Sequence, residues 1–305
     1  MRFKNANLFQ FDPKAMRARL DGLEAAVADR TLKPCSKIEM ASNGWVSPYG
    51  RDHPSLVAGM GGIKLLTLGS EIKVLPAAVV REQVAVKLAE MARERGQPVG
   101  ARERRRLKEE ITATLLTQAF VRPARLSAYL DSAAGWLVID SASRKSAEGF
   151  LTVLRETLDG FAAVLPEPEE SPRALMSAWL SGTKLPKELS LGDECELKDP
   201  IDRGALVRLR RQELESDEVR EHLRSGKLVS QLGLVAEERL GLVLGEDLVL
   251  RKLKFLDTSA APADEARRDG IEAEIDASFA LTCLTLKPLL EQLTGWFKLA
   301  QVKAR

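Results

Sequence analysis

Hydrophobic and polar positions along the chain switch between two periods. At the start, Phe3, Asn5, Asn7, Phe9 and Phe11 alternate with Arg2, Lys4, Ala6, Leu8 and Gln10, the period of two that predicts a strand. Asp12-Pro13 then opens a helix, with Met16, Leu20, Leu23 and Val27 at helical spacing. The stretch MASNGWVSPYG around Trp45 and Val46 reads as a loop. Gly59, Gly61 and Gly62 precede a strand Ile63 to Leu68, and Gly69-Ser70 separates it from a second, Glu71 to Leu75, as in a hairpin or meander. Beyond Pro76, the residues Val80, Val84, Leu88 and Met91 mark a long helix ending near Gly96. A second helix begins about Ala101, carries Leu107, Ile111 and Leu115 on one face, and runs out before Pro123. The two predict an antiparallel helical hairpin.

Strands return at Leu126 to Leu130 and Trp136 to Ile139, followed by a helix that Ser143 caps and whose Ala147, Leu151, Leu154 and Leu158 face the sheet. The acidic, proline-rich PEPEESP is the best boundary candidate. A short helix with Leu175 and Trp179 ends at Gly182, and acidic irregular sequence follows. Ala205, Val207 and Leu209 then alternate with Arg208 and Arg210, after which Arg211 and Gln212 break the pattern and read as exposed. Ser216 caps the next helix, with Asp217 and Glu218 at its positive end and Arg220 and Arg224 at its negative end. Gly226 stops it and Lys227 opens a strand. Two more strands, Leu240 to Leu244 and Leu248 to Phe255, follow, with Lys252 and Lys254 on one face of the second. After a polar loop at 257–269, Ala273, Ile275, Ala277, Phe279 and Leu281 alternate with polar residues as in another half-buried strand, and a helix from near Thr285 closes the chain. There is no internal repeat. The pattern is α+β, mostly antiparallel sheets with packed helices. It divides into a central α+β domain (1–75 with 119–165 and 227–305), a projecting hairpin domain (76–118) and a second subdomain (166–226).

Charge changes this picture more than composition does. The formal charge of 305 residues is only +2, yet between Arg81 and Arg125 eleven cations face six glutamates, and from Asp159 to Pro200 nine acids face four cations. Arg102, Arg104, Arg105, Arg106 and Lys108 crowd the first turns of the second hairpin helix, where positive charge opposes the macrodipole, so helix stability does not account for them. Arg208, Arg210, Arg211 and Lys227 offer a row of cations on one supersecondary unit, a way to meet a polyanion; a solvated charged face is the plainer reading. Few aromatics argue against a single-strand stacking platform. The start of the chain lacks an apolar signal core and no run reaches about 18 apolar residues, which predicts a cytosolic protein without membrane partners.

Catalytic chemistry is thin. Cys35, Cys195 and Cys283 are widely spaced, with no CxxC pair, and predict buried thiols rather than disulfides or a zinc site. His53 and His222 lack metal-ligand spacing. Gly59-Met60-Gly61-Gly62 enters a strand, not a helix, and Gly182-Thr183-Lys184 is no P-loop. No catalytic residue, metal or cofactor is predicted. Asp131 and Asp140 flank a strand turn; magnesium binding there supports a weak nuclease alternative, turn capping the plainer one.

Ordered across the chain are FKN from Phe3, Lys33-Pro34-Cys35, Gly44-Trp45-Val46 with Pro48, Val74-Leu75-Pro76, Ala119-Phe120 with Arg122, Val138-Ile139-Asp140 with Ala142-Ser143, Arg211-Gln212, Gly226-Lys227, and Leu253-Lys254-Phe255 with Asp257. In this order and spacing the chain resembles the RdgC family of recombination-associated proteins over nearly its whole length. The resemblance implies a homodimer of curved subunits closed into a ring around duplex DNA; the choice between double- and single-stranded DNA is left open by the sequence. It also implies association with the nucleoid, restraint of RecA-promoted recombination, and no enzymatic activity. It assigns Phe120, with Arg122, to the dimer interface, although from the residues alone Phe120 reads as a core aromatic. It places Arg211 and Gln212 at the DNA. Arg208, Arg210, Lys227, Lys252, Lys254, Arg102, Arg105 and Arg106 join them as further candidate phosphate contacts, by charge. A protein-interaction scaffold with a basic helical face is the alternative.

Overall fold

The computed structural model describes residues 2–51, 53–183, 185–202, 205–256 and 270–302; the polar loop expected at 257–269 lies outside them. Among the described residues, two antiparallel sheets and eight helices make an α+β fold. The first sheet has the order β2-β4-β5-β6-β1-β7, with β3 also on β4. Its strands are β1 (Asn7–Phe11), β2 (Ala41–Val46), β3 (Val57–Met60), β4 (Ile63–Val74), β5 (Phe120–Asp131), β6 (Trp136–Ile139) and β7 (Ala163–Val164). The second, β12-β11-β10-β8-β9, holds β8 (Leu189–Lys198), β9 (Leu206–Arg210), β10 (Leu228–Ala236), β11 (Leu240–Gly245) and β12 (Leu250–Phe255). Strands from both sides of residue 226 thus share one sheet. The backbones of Ala6 and Leu250 exchange hydrogen bonds of 2.7 and 3.0 Å and tie the sheets together.

One face of the first sheet, through Phe9, Phe11, Leu66, Leu130 and Ile139, packs on α1 (Pro13–Asp21), α2 (Leu23–Ala28) and α5 (Arg144–Thr157). Asp12 caps α1 by accepting from the Lys14 and Ala15 amides, and Ser143 caps α5 from Ser146, both as expected. The opposite face, through Leu8, Leu65, Tyr129 and Val138, joins a larger core with the second sheet, α6 (Pro172–Leu180) and α8 (Ile271–Trp296). Cys195 and Cys283 are buried in that core, which pushes both thiols up to about 12. At pH 8 the folded protein is therefore expected to give one fast-reacting thiol, Cys35, with a disulfide reagent; three fast thiols would show that the core is open.

Several sequence expectations change. Gly69-Ser70 is no turn: β4 runs unbroken from Ile63 to Val74, because a Cβ at Gly69 would sit 2.7 Å from Val46 Cγ1, so this glycine answers a close approach. The expected loop around Trp45 is β2, paired with the far half of β4. β5 begins at Phe120 rather than Leu126, with Pro123 inside it. β6 reaches only Ala128 to Asp131 of β5, so the missing proline amide falls where the strand has an open edge. The acidic stretch before residue 200 is β8, in which Cys195 and Leu197 are buried and Glu194 and Lys198 are not. The strand expected at Ala273 to Leu281 is instead the first half of α8, which buries Phe279, Thr282, Cys283, Leu286, Leu290 and Leu293 at helical spacing. Alanine at 273, 277 and 280 favours the helix, and short alternation could not distinguish it from a strand.

Candidate nucleic-acid interface

The exposed side of the second sheet gathers three of the predicted cations. β9 pairs with β8 so that Arg208 stands opposite Glu196 and Arg210 opposite Glu194. Arg208 Nε donates to Glu196 Oε2 at 2.8 Å, and Lys252 Nζ reaches Glu194. These side chains line one groove of about 220 Å3. Glu196 also accepts from Ser230 at 2.9 Å and lies 3.4 Å from Lys198 Nζ. Burial alone would raise its pKa, but the hydrogen bonds from Arg208, Ser230 and Lys198 outweigh it and hold the carboxyl below its ordinary value. Its stabilising contribution is therefore present above the ordinary carboxylate range and lost as pH falls through the lowered value. Of the expected row only Arg208 and Arg210 stand on β9, and they alternate with acids from a stretch expected to be irregular chain. Period-two spacing across Glu194, Cys195, Glu196 and Leu197 was the signal for them.

A bulge in β12, where register shifts between Gly241 and Val243, puts Lys252 at φ +53° and turns it toward Glu194. Lys254 lies beyond the bulge, exposed, so the strict alternation that grouped the two lysines is interrupted. Arg211, at φ +54°, follows β9 in a left-handed turn and is exposed. Gln212 is half-buried, donating to Glu218 Oε2 at 2.9 Å. Ser216 stands at the N-cap of α7 (Asp217–Arg224), but its hydroxyl makes no capping bond and is buried without a partner, contrary to the expected cap. Lys227 donates to Ser225 at 3.1 Å.

The remaining candidates lie on other elements. α3 (Ala77–Arg95) and α4 (Ala101–Gln118) are joined by Gly96 in the left-handed region and clasped by Arg95 to Glu103 at 2.7 Å. Arg102, Arg105 and Arg106 are exposed on α4, Arg105 beside Glu109 at 3.1 Å. Phe120 opens β5, opposite Val74, and is 87% exposed, so the core-burial reading of it fails. Arg122 follows on the same ribbon, also exposed. Asp131 and Asp140 prove structural: Asp131 Oδ1 accepts from the Ala133 and Ala134 amides, and Asp140 Oδ1 from Lys4 and Asn5, each of the last two at 2.9 Å. Among the described residues no helix is long and apolar enough to cross a membrane.

Against known proteins, residues 1–300 match the family model described as "Putative exonuclease, RdgC". The chain is 40% identical over 304 residues to a "Recombination-associated protein RdgC" of Xanthomonas axonopodis pv. citri (strain 306), covering 99% of this chain and 100% of the relative. It is likewise 40% identical over 302 residues, 99% of each chain, to the protein of that name in Stenotrophomonas maltophilia (strain R551-3).

Proposed function

Because this chain belongs to the RdgC family, we propose that it is a non-enzymatic DNA-binding protein that closes around duplex DNA as a homodimer. It holds the duplex with little sequence preference and restrains RecA-promoted strand exchange by occupying it, in the cytoplasm at the nucleoid. The helical hairpin of residues 76–118 forms one end of the subunit and residues 166–226 the other. One observation carries the DNA reading: Arg102, Arg106, Arg122, Arg210, Arg211 and Lys254 are exposed, and among the described residues none has a carboxylate within 4.0 Å. Cations without internal partners are the ones that can replace condensed counterions on a duplex. Arg208 and Lys252, held by Glu196 and Glu194, contribute only when DNA competes for them.

A salt series on random-sequence duplex, read by fluorescence anisotropy, tests this. Each phosphate contact contributes about −0.9 to the slope of log affinity against log salt. Arg211→Glu is expected to weaken binding to every sequence and flatten the slope by about that amount. Glu196→Gln, which removes the charge that holds Arg208, is expected to tighten binding and steepen it. Equal affinities for both variants and the parent at matched salt would count against this surface, and weak parental binding at physiological ionic strength would favour the scaffold alternative. The exonuclease named in the family description is checked on end-labelled duplex with magnesium; progressive shortening would replace the non-enzymatic reading.

A further inference from the structure

Where β2, β4 and β5 leave the core, a cavity of about 500 Å3 opens on the first sheet, bounded by Thr31, Ser47, Arg51, His53, Ser70 and Arg125 among others. Arg125 stands opposite Gly69, which in turn stands opposite Gly44. With no side chain at either glycine, the arginine reaches to the end of β2 and donates one Nη2 bond to the Ser47 carbonyl. Neither Arg125 nor Arg51 has a carboxylate within 4.0 Å among the described residues. Glu71, on the wall of the cavity, accepts the Cys35 amide at 2.8 Å, and Glu272 lies 3.4 Å from His53 Nε2. Two guanidinium groups thus border one concavity whose described lining holds a single carboxylate, Glu71, which lies more than 4.0 Å from both, and the Thr31 and Ser70 hydroxyls add neutral donors. Partial burial pulls the Arg125 pKa below the ordinary guanidinium value.

We infer that this cavity is a phosphate-binding site in which Arg51 and Arg125 make the anion contacts. Planar guanidinium groups suit the tetrahedral oxygens of phosphate, and the volume has room for the sugar that a phosphate carries. The phosphate comes either from a DNA backbone or from a free nucleotide, and the site does not depend on the DNA reading above.

Isothermal titration of the full chain with inorganic phosphate and with AMP reads the site directly. Saturable binding is expected, weakened about tenfold or more by Arg51→Gln and by Arg125→Gln, since a hydrogen bond to a charged group is typically worth that much. Arg210→Gln, on the other sheet, should leave it unchanged. Arg51 has no intramolecular partner among the described residues, so its variant stays informative if Arg125→Gln disturbs the ribbon. Adding a 20-base-pair duplex identifies the source: displacement of bound phosphate assigns the site to the DNA backbone, and retention assigns it to a small molecule. Absence of saturable phosphate binding, or equal binding by parent and Arg51→Gln, overturns the inference whatever the duplex affinity turns out to be.

Discussion

Gly44→Ala is expected to destabilise the protein by about 3–5 kcal/mol, the cost of overpacking plus two backbone hydrogen bonds. A Cβ there would lie 2.4 Å from both the amide nitrogen and the Cα of Leu32 and 2.6 Å from the carbonyl carbon of Thr31. All three are backbone atoms, so no rotamer change relieves the clash. Relief requires moving the strand away from the 30–32 segment. That segment accepts the Trp45 amide at Arg30 and donates the Leu32 amide to Trp45, at 2.9 and 3.0 Å. Trp45, 1% exposed and edge-on to Phe150 at 5.3 Å, would be pulled from its packing as well. Thermal melts by circular dichroism should fall by about 5–8 °C. Gly149→Ala supplies the contrast: it lies inside α5 with nothing within 4 Å of the added methyl, so a gain of about 0.5–1 kcal/mol is expected. If both variants melted with the parent, the close approach at residue 44 would be wrong.

Phe120→Ser is expected to abolish self-association while leaving the fold intact. The ring is 87% exposed at the start of β5, and Val74 across the ladder is 46% exposed, so an apolar pair lies open to a second copy of the chain. Truncating an aromatic anchor of that kind typically costs 2–4 kcal/mol of association, about 30- to 1,000-fold in dissociation constant. Because the ring has almost no burial to lose within the subunit, the monomer should keep its melting temperature. Light scattering across a concentration series distinguishes the outcomes. A variant dimer as tight as the parental one removes Phe120 from the interface, and a parent that stays monomeric removes the dimer.

Elements with one unambiguous period were legible from residues alone. The hairpin helices, the Ser143-capped helix and the Trp136 to Ile139 strand lie where pattern and punctuation agreed. What misled was punctuation with another cause. Gly69 and Gly44 answer contacts from chain distant in sequence and so mimicked loop punctuation, while Pro123, which sits where an open edge tolerates it, hid the first half of β5. The cations of the candidate interface were legible, but their state was not. Whether Arg208 is free depends on Glu196 lying across a ladder, and the pairing of β8 with β9 cannot be read from either segment singly.

The proline at 123 has one more effect. It leaves the open side of the β5 limb a donor short at mid-length, where an unbroken row of amides would template the addition of another strand. In the proposed homodimer, subunits meeting through this limb would thereby be directed to side-chain contact across its face, and away from the open-ended stacking that leads to fibrils.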